Sequence, residues 1–428
     1  MSDIGLTWVN WSGRVTAPNI DLVHVRSEAD AAAIAASAAS STTTDPALSS
    51  GQSPPPRQKR VRVAGSGHSH MPLVPNLDTI VDLSGLSGVI SVEHLEGEQA
   101  GSPSDRAQGF ESAAAIATVR AGTPLFALGA PLRAHGVALF NQGDIDRQTV
   151  GGVVATGTHG TGQGLGNFSS TVATARVALA TGELVDCSAT ENPDLLAIAQ
   201  LNLGGLGLVT RLGLNVRSSY KLSEGGFATS LDDVLPRFDE LAAANRHFEI
   251  FWFPARDRAI VKLTNETGDE PVYPTGPEGS RTGWNYEVLP SHRTWRHTEM
   301  EYSVAASDGA DCLAEVAKVV RRRFPDLAWP IEYRLVAADD VWLSPANGRA
   351  TATISLHSDV EEDETELFRA AEEIFASYDG RPHWGKVNYL DGDDLALRHP
   401  DWAHWWEIRD HYDPAGVFLN DYLLRIRP

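Results

Sequence analysis

Cysteine and long apolar runs are both scarce in this chain of 428 residues. Its two cysteines, Cys187 and Cys312, are too few for a disulfide framework, which indicates a reducing compartment. No apolar run approaches the roughly 18 residues that a membrane-spanning helix needs, and no basic stretch followed by an apolar one marks a secretory signal. We therefore expect a cytoplasmic protein with no membrane partner.

Positive charge is low as well. The chain has 35 Lys and Arg against 56 Asp and Glu, which gives a formal net charge of −21. Such an acidic protein repels nucleic acid and anionic lipid, so neither is expected as a partner, whereas a neutral sugar ligand remains open. Lysine is particularly rare and occurs only at Lys59, Lys221, Lys262, Lys318 and Lys386.

A Gly-x-Gly-x-x-Gly pattern between a strand and a helix is absent, which argues against a nicotinamide-binding Rossmann unit. Two other loops of small residues are present, RVAGSGHSH at 62–70 and TVGGVVATGTHGTG at 149–162. Glycines in such loops allow positive φ and let main-chain N–H groups approach a phosphate closely. Together the loops predict a diphosphate site. The first loop alone is a weak signal, because a locally hydrogen-bonded histidine would equally explain His68.

The order of predicted elements indicates two domains, as the length does. Short strands and helices alternate up to about residue 217, including a helix that begins after Ser27. Residues 40–60 are rich in Ser, Thr and Pro and are predicted to be a mobile insertion without chemistry. Beyond residue 217, strands alternate with amphipathic helices, a pattern that suits a sheet backed by helices. These helices are predicted at 232–244, 311–323 and 361–377.

A set of motifs, spread in order over nearly the whole chain, resembles the FAD-linked oxidases of the vanillyl-alcohol-oxidase type. Within that family, the chain is similar to the branch of sugar-1,4-lactone oxidases and alditol oxidases. The motifs are GSGHS at 65–69, GDID at 143–146, ATGTHG at 155–160, EYR at 332–334, WLSP at 342–345, HWGK at 383–386 and DPAGVFLN at 413–420.

The resemblance implies an α+β fold with two domains. A PCMH-type FAD-binding domain is expected at 1–217, and a substrate cap domain built of a sheet and helices is expected at 218–389. The C-terminal segment at 390–428 is expected to return to the FAD domain.

The resemblance also implies FAD as the cofactor, joined covalently to His68 through the 8α-methyl group of the flavin. Main-chain N–H groups of 64–69 and 156–159 are expected to hold the diphosphate, although tight turns alone would also explain Gly152 and Gly157. No metal ion is expected. The residues expected to contact FAD are Val63, Ala64, Gly65, Ser66, Gly67, His68, Ser69, Asp144, Thr149, Gly152, Thr156, Gly157, Thr158, His159 and Val209.

Glu332 and Arg334 stand two residues apart in a strand-like run, so their side chains share one face. A surface ion pair on an edge strand is the alternative interpretation. Ser355 and His357 share a face by the same rule. Lys386 follows a glycine and can place its charge near the flavin, where it would stabilise the anionic reduced ring, unless it is merely a solvated lysine. The predicted catalytic residues are Glu332, Arg334, His357 and Lys386, and the same four with Asp144 are predicted to bind the substrate.

The implied reaction is oxidation of an alcohol carbon by hydride transfer to flavin N5, followed by reoxidation with dioxygen to give hydrogen peroxide. Arg334 and Lys386 would orient the hydroxyl group, and either Glu332 or His357 would accept its proton. The sequence does not decide between these two bases. Gly143 favours an oxidase, because relatives that use oxygen tend to have a small residue there.

The predicted site is polar and charged, which suits a polyhydroxylated C5–C6 substrate. GDID at 143–146 together with His357 resembles the aldonolactone subgroup, and this resemblance implies an aldono-1,4-lactone as the substrate. Alditol oxidases have serine where Asp144 stands, histidine where Ser355 stands and threonine where His357 stands, so an alditol such as xylitol or sorbitol is the second choice. A lactone dehydrogenase with another electron acceptor is a further alternative. A flavin-binding sensor or carrier without catalysis is the alternative from another class, and the intact Glu332, Arg334 and Lys386 argue against it.

Overall fold

The computed structural model describes residues 2–43, 57–75, 78–95, 112–291 and 294–428. Most of the predicted insertion, residues 44–56, lies outside these ranges. Within the described ranges, no helix has both the length and the apolar character needed to cross a bilayer. Mixed sheets and helices build the molecule, which confirms the α+β class.

The strands of the described ranges form three larger sheets and one short pair. They are β1 Ser2–Val9, β2 Thr16–His24, β3 Thr42–Thr43, β4 Arg57–Gln58, β5 Val61–Ala64, β6 Thr79–Asp82, β7 Val89–His94, β8 Ala115–Arg120, β9 Val137–Ala138, β10 Val172–Ala178, β11 Leu184–Ser188, β12 Leu208–Ser218, β13 Lys221–Thr229, β14 His247–Phe253, β15 Arg258–Glu266, β16 Thr282–Trp284, β17 His297–Ala305, β18 Ile331–Val336, β19 Thr351–Asp359 and β20 Arg381–Pro382.

The helices pack on the faces of these sheets. They are α1 Glu28–Ala39, α2 Gly129–Ala134, α3 Val150–Ala155, α4 Pro193–Gln200, α5 Leu231–Val234, α6 Phe238–Ala244, α7 Asn285–Val288, α8 Gly309–Arg323, α9 Thr365–Ser377, α10 Gly392–Arg398, α11 Trp402–Tyr412 and α12 Asp421–Ile426.

Local sequence explains several helix ends. The helix predicted after Ser27 begins with a capping box, in which the Ser27 hydroxyl accepts from the Asp30 N–H and the Asp30 carboxylate accepts from the Ser27 N–H. The single helix predicted at 232–244 is wrong, because it divides into α5, a 3₁₀ turn and α6. Pro236 lies in that turn, lacks an N–H donor and interrupts the α-helical hydrogen bonding.

Two sheets come from the first half of the chain. The first has the order β1-β2-β6-β5, and its inner pairings β2–β6 and β6–β5 are parallel. The second has the order β11-β10-β12-β8-β7 with antiparallel pairings, and β9 pairs with β12. The loop at 65–69 therefore follows directly from the carboxyl end of the buried parallel strand β5.

The third sheet has the order β16-β13-β15-β14-β18-β19-β17-β20 and lies in the second half of the chain. Its helix-facing side is apolar. Tyr333 of β18 packs on Phe238 and Phe248, and Tyr302 of β17 stacks on Phe375 of α9. Because side chains alternate along a strand, the opposite face receives the intervening polar residues. That face builds the site.

The C-terminal segment packs against the first sheet and its loops. The Val61 N–H donates to the Val417 carbonyl, and the Asn420 side-chain amide donates to the carbonyls of Pro72, Leu73 and Pro75. The buried Arg62 guanidinium donates to the Phe418 carbonyl among others. The division of the chain at 217 and 389 stays a prediction.

Candidate active site

A cleft of about 1100 Å³, including its open mouth, follows the two glycine-rich loops. Twelve of the fifteen predicted cofactor contacts line it, together with Arg62, Asn202, His383 and Lys386. The twelve are Val63, Ala64, Gly65, Ser66, Gly67, His68, Ser69, Thr149, Gly152, Thr156, Thr158 and Val209.

Glycine is required where the two loops meet. A Cβ on Gly65 would clash with Thr149 Oγ1, and Gly67 has a φ of +70°. Thr149 in turn caps α3, because its hydroxyl accepts from the Gly152 N–H at 3.3 Å. The loops therefore form a wall of main chain without bulky side chains.

The first loop supplies the open main-chain donors. Among the described residues, no group accepts a hydrogen bond from the N–H groups of 66–69. In the second loop, the N–H groups of Gly157 and Thr158 already donate to the carbonyls of Val154 and Val153. The Thr156 N–H donates to the Val154 carbonyl as well, so the expectation that main-chain donors of 156–159 hold the diphosphate is corrected for these three residues. Open donors facing a glycine-walled cleft fit the diphosphate of FAD.

His68 lies in the wall of this cleft and stacks on Trp11, with ring centroids 5.2 Å apart. Burial, assisted by the charge of Lys386 and by His297, lowers the pKa of His68 to about 4. The imidazole is therefore neutral at physiological pH and carries a lone pair. This is the state that a bond from a ring nitrogen to a flavin carbon requires.

A second cavity opens on the polar face of the third sheet. The residues Gln148, Thr158, His383 and Lys386 line both cavities, so the two meet there. All five predicted substrate-binding residues line the second cavity: Asp144, Glu332, Arg334, His357 and Lys386. One wall is aromatic and includes Phe251, Phe253, Trp295 and Trp329.

Three predicted cofactor contacts lie outside the first cleft. Asp144 and His159 line the second cavity instead, and Gly157 lines neither. His159 Nε2 is 2.6 Å from Glu301 Oε1, and the other carboxylate oxygen of Glu301 accepts from the Ser355 hydroxyl at 2.8 Å. Gly157 forms a tight turn with a φ of +69°.

The EYR motif places Glu332 and Arg334 on one face of β18, and both are directed into the cavity rather than to the surface. Arg334 Nη2 is 2.6 Å from Glu332 Oε1 and 3.6 Å from Asp144 Oδ2, and Arg334 Nε donates to Glu249 of β14. The interpretation as a surface ion pair is therefore wrong.

Burial, reinforced by the neighbouring carboxylates of Glu249 and Asp144, raises the pKa of Glu332 well above its ordinary value, although Arg334 opposes the shift. Glu249 behaves in the opposite way. Burial would raise its pKa, but the Arg334 guanidinium holds it below the usual value. Of the two carboxyl groups, Glu332 is thus the one that holds a proton more readily, and Glu249 the one that loses it more readily.

His357 has a defined tautomer. Its Nδ1 is 2.9 Å from the Pro330 carbonyl oxygen, so Nδ1–H is the donor and Nε2 keeps its lone pair. Nε2 is 3.6 Å from Glu299 Oε1. Burial lowers the pKa of His357 to about 4, with Glu299 acting in the opposite direction. The ring can therefore accept a proton at neutral pH.

Lys386 is ion-paired with Glu299 and only partly buried, so it is not a free solvated side chain. Burial would raise the pKa of Glu299, but Lys386 and His357 hold it well below its ordinary value. Lys386 therefore places a positive charge, paired with the Glu299 carboxylate, at the point where the two cavities meet.

The sequence analysis missed several residues that build this site: Glu249, Lys262, His297, Glu299 and Glu301. Period-two alternation would have found three of them, because β17 reads HTEMEYSVA and places His297, Glu299 and Glu301 on one face. Lys262 is one of only five lysines in the chain, and this rarity is the signal in the sequence that could have drawn attention to it.

Family models match both halves of the chain. The model described as D-arabinono-1,4-lactone oxidase matches residues 212–285 and 272–426, and the model described as FAD binding domain matches 55–188.

The chain is 33% identical to L-gulono-1,4-lactone dehydrogenase of Mycobacterium tuberculosis, over 98% of both chains. It is 30% identical to an alditol oxidase of a Streptomyces species, over 68% of this chain and 76% of that one. The crystal structure of cholesterol oxidase from B. sterolicum has the same fold, with a TM-score of 0.82 at 14% identity over 100% of this chain and 97% of that chain.

Proposed function

This chain belongs to the D-arabinono-1,4-lactone oxidase family of FAD-linked, PCMH-type enzymes, and we propose that its substrate is an aldono-1,4-lactone. It is an FAD-dependent oxidoreductase that acts on a sugar lactone or a polyol. One observation carries the proposal: Arg334, Glu332, His357 and Lys386 line a single cavity that meets the cofactor cleft at Lys386.

The cofactor cleft is the site we propose for FAD, with the diphosphate on the main-chain donors of 66–69 and His68 as the covalent attachment point. When bound, FAD supplies the two-electron acceptor for the hydride of the oxidised carbon. The neutral imidazole of His68 and its stacking on Trp11 support this assignment.

We propose that His357 is the base that accepts the proton of the substrate hydroxyl group. The hydrogen bond from Nδ1–H to Pro330 leaves the lone pair on Nε2, whereas burial raises the pKa of Glu332, so that its carboxyl group holds a proton more readily. Glu332 then acts as a hydrogen-bond donor to a substrate oxygen. Arg334 and Lys386 orient the hydroxyl group and stabilise the negative charge that develops as its proton leaves.

The lactone is preferred to an alditol because Asp144 and His357 both line the cavity at the positions where alditol oxidases have serine and threonine. Dioxygen is proposed as the electron acceptor, with hydrogen peroxide as the product. Gly143 lines the cavity, but a Cβ there would also be 2.9 Å from the His159 carbonyl, so packing alone accounts for this glycine. The relative from Mycobacterium tuberculosis is named a dehydrogenase, which makes another acceptor the second candidate.

An oxygen-electrode screen of the purified protein tests the proposal, with 1,4-lactones and alditols supplied at equal concentrations and peroxide measured in parallel. We expect oxygen uptake with at least one lactone at a higher kcat/KM than with xylitol or sorbitol. Bleaching of the flavin by a lactone under argon, without oxygen uptake in air, would select the dehydrogenase. An unchanged flavin spectrum with every compound would favour the non-catalytic flavoprotein.

A further inference from the structure

Two charged residues, Glu249 and Lys262, contact the substrate-binding residues Arg334 and Asp144 but line neither cavity. Glu249 of β14 accepts from Arg334 Nε, and its other carboxylate oxygen is 3.2 Å from Lys262 Nζ of β15. Lys262 Nζ is also 3.1 Å from Asp144 Oδ1. The side chains of Glu249 and Lys262 are 4% and 11% exposed, so they act through their neighbours and not by touching solvent.

The charges in this network balance. Arg334 and Lys262 are the two cations, and Asp144 and Glu249 are the two carboxylates that contact both of them. Glu332 is 2.6 Å from Arg334 Nη2 and adds a third carboxyl group, so the network holds no excess of positive charge in either protonation state of Glu332. The nearby Glu224 is paired with Arg281 and adds no net charge.

The cations that line the cavity are likewise all paired with carboxylates. Of the described residues that line it, Arg334 and Lys386 are the lysine and arginine side chains, and each has a carboxylate partner. Asp359 and Glu301 add further carboxyl groups. A carboxylate ligand would therefore find no cation without a partner, and it would have to displace a buried acid or be buried beside one.

We infer that Glu249 and Lys262 are positioning residues that keep Arg334 and Asp144 in a charge-balanced network, so that the cavity accepts neutral polyhydroxylated rings and excludes carboxylates. This inference rests on the proposed function, because it takes the second cavity as the substrate site. If carboxylates are excluded, the protein binds a 1,4-lactone in preference to the open-chain aldonate that hydrolysis of the same lactone produces.

Glu249→Gln alone does not test this charge balance. A change in the protonation of Glu332 could offset the negative charge that this substitution removes. The test variant is therefore Glu249→Gln combined with Glu332→Gln, which leaves Arg334 and Lys262 opposite Asp144 alone. Glu332→Gln by itself is the matched control, since it differs from the double variant only at Glu249 and removes the titratable group at 332 from both. Isothermal titration calorimetry of the FAD-loaded proteins with L-gulonate and with L-gulono-1,4-lactone gives Kd without requiring turnover.

We expect L-gulonate to bind the double variant at least about tenfold more tightly than the Glu332→Gln control, the size of one hydrogen bond to a charged group. Adding Lys262→Met to the double variant leaves Arg334 opposite Asp144 and restores the charge balance, so the gain in L-gulonate affinity should disappear. If the double variant bound L-gulonate more tightly only because its cavity had become less well packed, the gain would persist. Glu224→Gln with Glu332→Gln removes a buried acid from the same sheet outside the cavity and should gain nothing.

Equal L-gulonate affinity in the double variant and its control would overturn the inference, as would tight binding of L-gulonate to the unchanged protein. If the double variant does not fold, Asp144→Asn with Glu332→Gln makes the same change in charge and carries the same expectation. Failure of the proposed function would look different, because no lactone would then change the flavin spectrum, while these binding data remained interpretable.

Discussion

Replacing Lys386 by methionine is expected to slow flavin reduction far more than it weakens FAD binding. Lys386 lies where the two cavities meet and compensates the buried carboxylate of Glu299. Its charge matters most once negative charge appears on the reacting groups. Loss of one such preorganised group typically costs about 10²–10³ in rate, which is the expected fall.

A second effect follows from the same ion pair. Without Lys386, the charge partners that Glu299 keeps among the described residues are His297 at 3.7 Å and His357 at 3.6 Å. The charge of Lys386 contributes to the low pKa of His357, after burial and His297, so this pKa should rise in the variant. His357 would then be protonated over a wider pH range, and the acid limb of the rate profile should move to higher pH.

Anaerobic stopped-flow measurement of flavin reduction across pH 4–9 separates the two effects. The pH-independent plateau rate reports the loss of the Lys386 charge, and the acid limb of the profile reports the pKa of His357. The substitution also breaks the ion pair between Lys386 and Glu299. Breaking a buried pair costs about 3–5 kcal/mol of stability, and this range is an upper limit here because Lys386 is partly exposed. Lys386→Met with Glu299→Gln should recover the melting temperature but not the plateau rate. Lys318→Met, at an exposed position of α8, is the control for the substitution itself. Reduction of Lys386→Met at the unchanged plateau rate would refute the reasoning.

Four other variants or conditions test the remaining assignments. His68→Ala should release its flavin on acid precipitation, and a fluorescent protein band on a denaturing gel would contradict the covalent link. Flavin reduction in the unchanged protein should be constant near neutral pH and fall as pH drops through about 4, where His357 gains a proton and can no longer accept one; a limb near pH 6.5 would point to a different base. Gly65→Ala should lower FAD occupancy because its Cβ meets Thr149, whereas Gly164→Ala, with open space around it, should not. Arg334→Met should raise the Kd of the lactone as well as slow reduction, because a guanidinium binds two oxygens already in the ground state; an unchanged Kd would restrict Arg334 to the transition state.

Much of the site is determined by local sequence. Residues two apart in a strand share a face whatever the rest of the fold does, which is why Glu332 and Arg334 were correctly placed side by side. The glycines of the first loop are fixed by backbone conformation, and Gly67 adopts the positive φ that glycine tolerates. The Ser27 cap and the boundaries of α8 near 311–323 likewise depend on neighbours in sequence.

Which charges meet in the site depends on the fold. Glu299 and Lys386 are separated by 87 residues, and Asp144 and Lys262 by 118, so no spacing rule pairs them. The order of strands in the third sheet, β15-β14-β18-β19-β17, brings these groups onto one polar face. That burial sets which groups are protonated, because the pKa of Glu332 and His357 depends on desolvation and on distant partners. The choice between two candidate bases, open in the sequence, is therefore a property of the folded sheet.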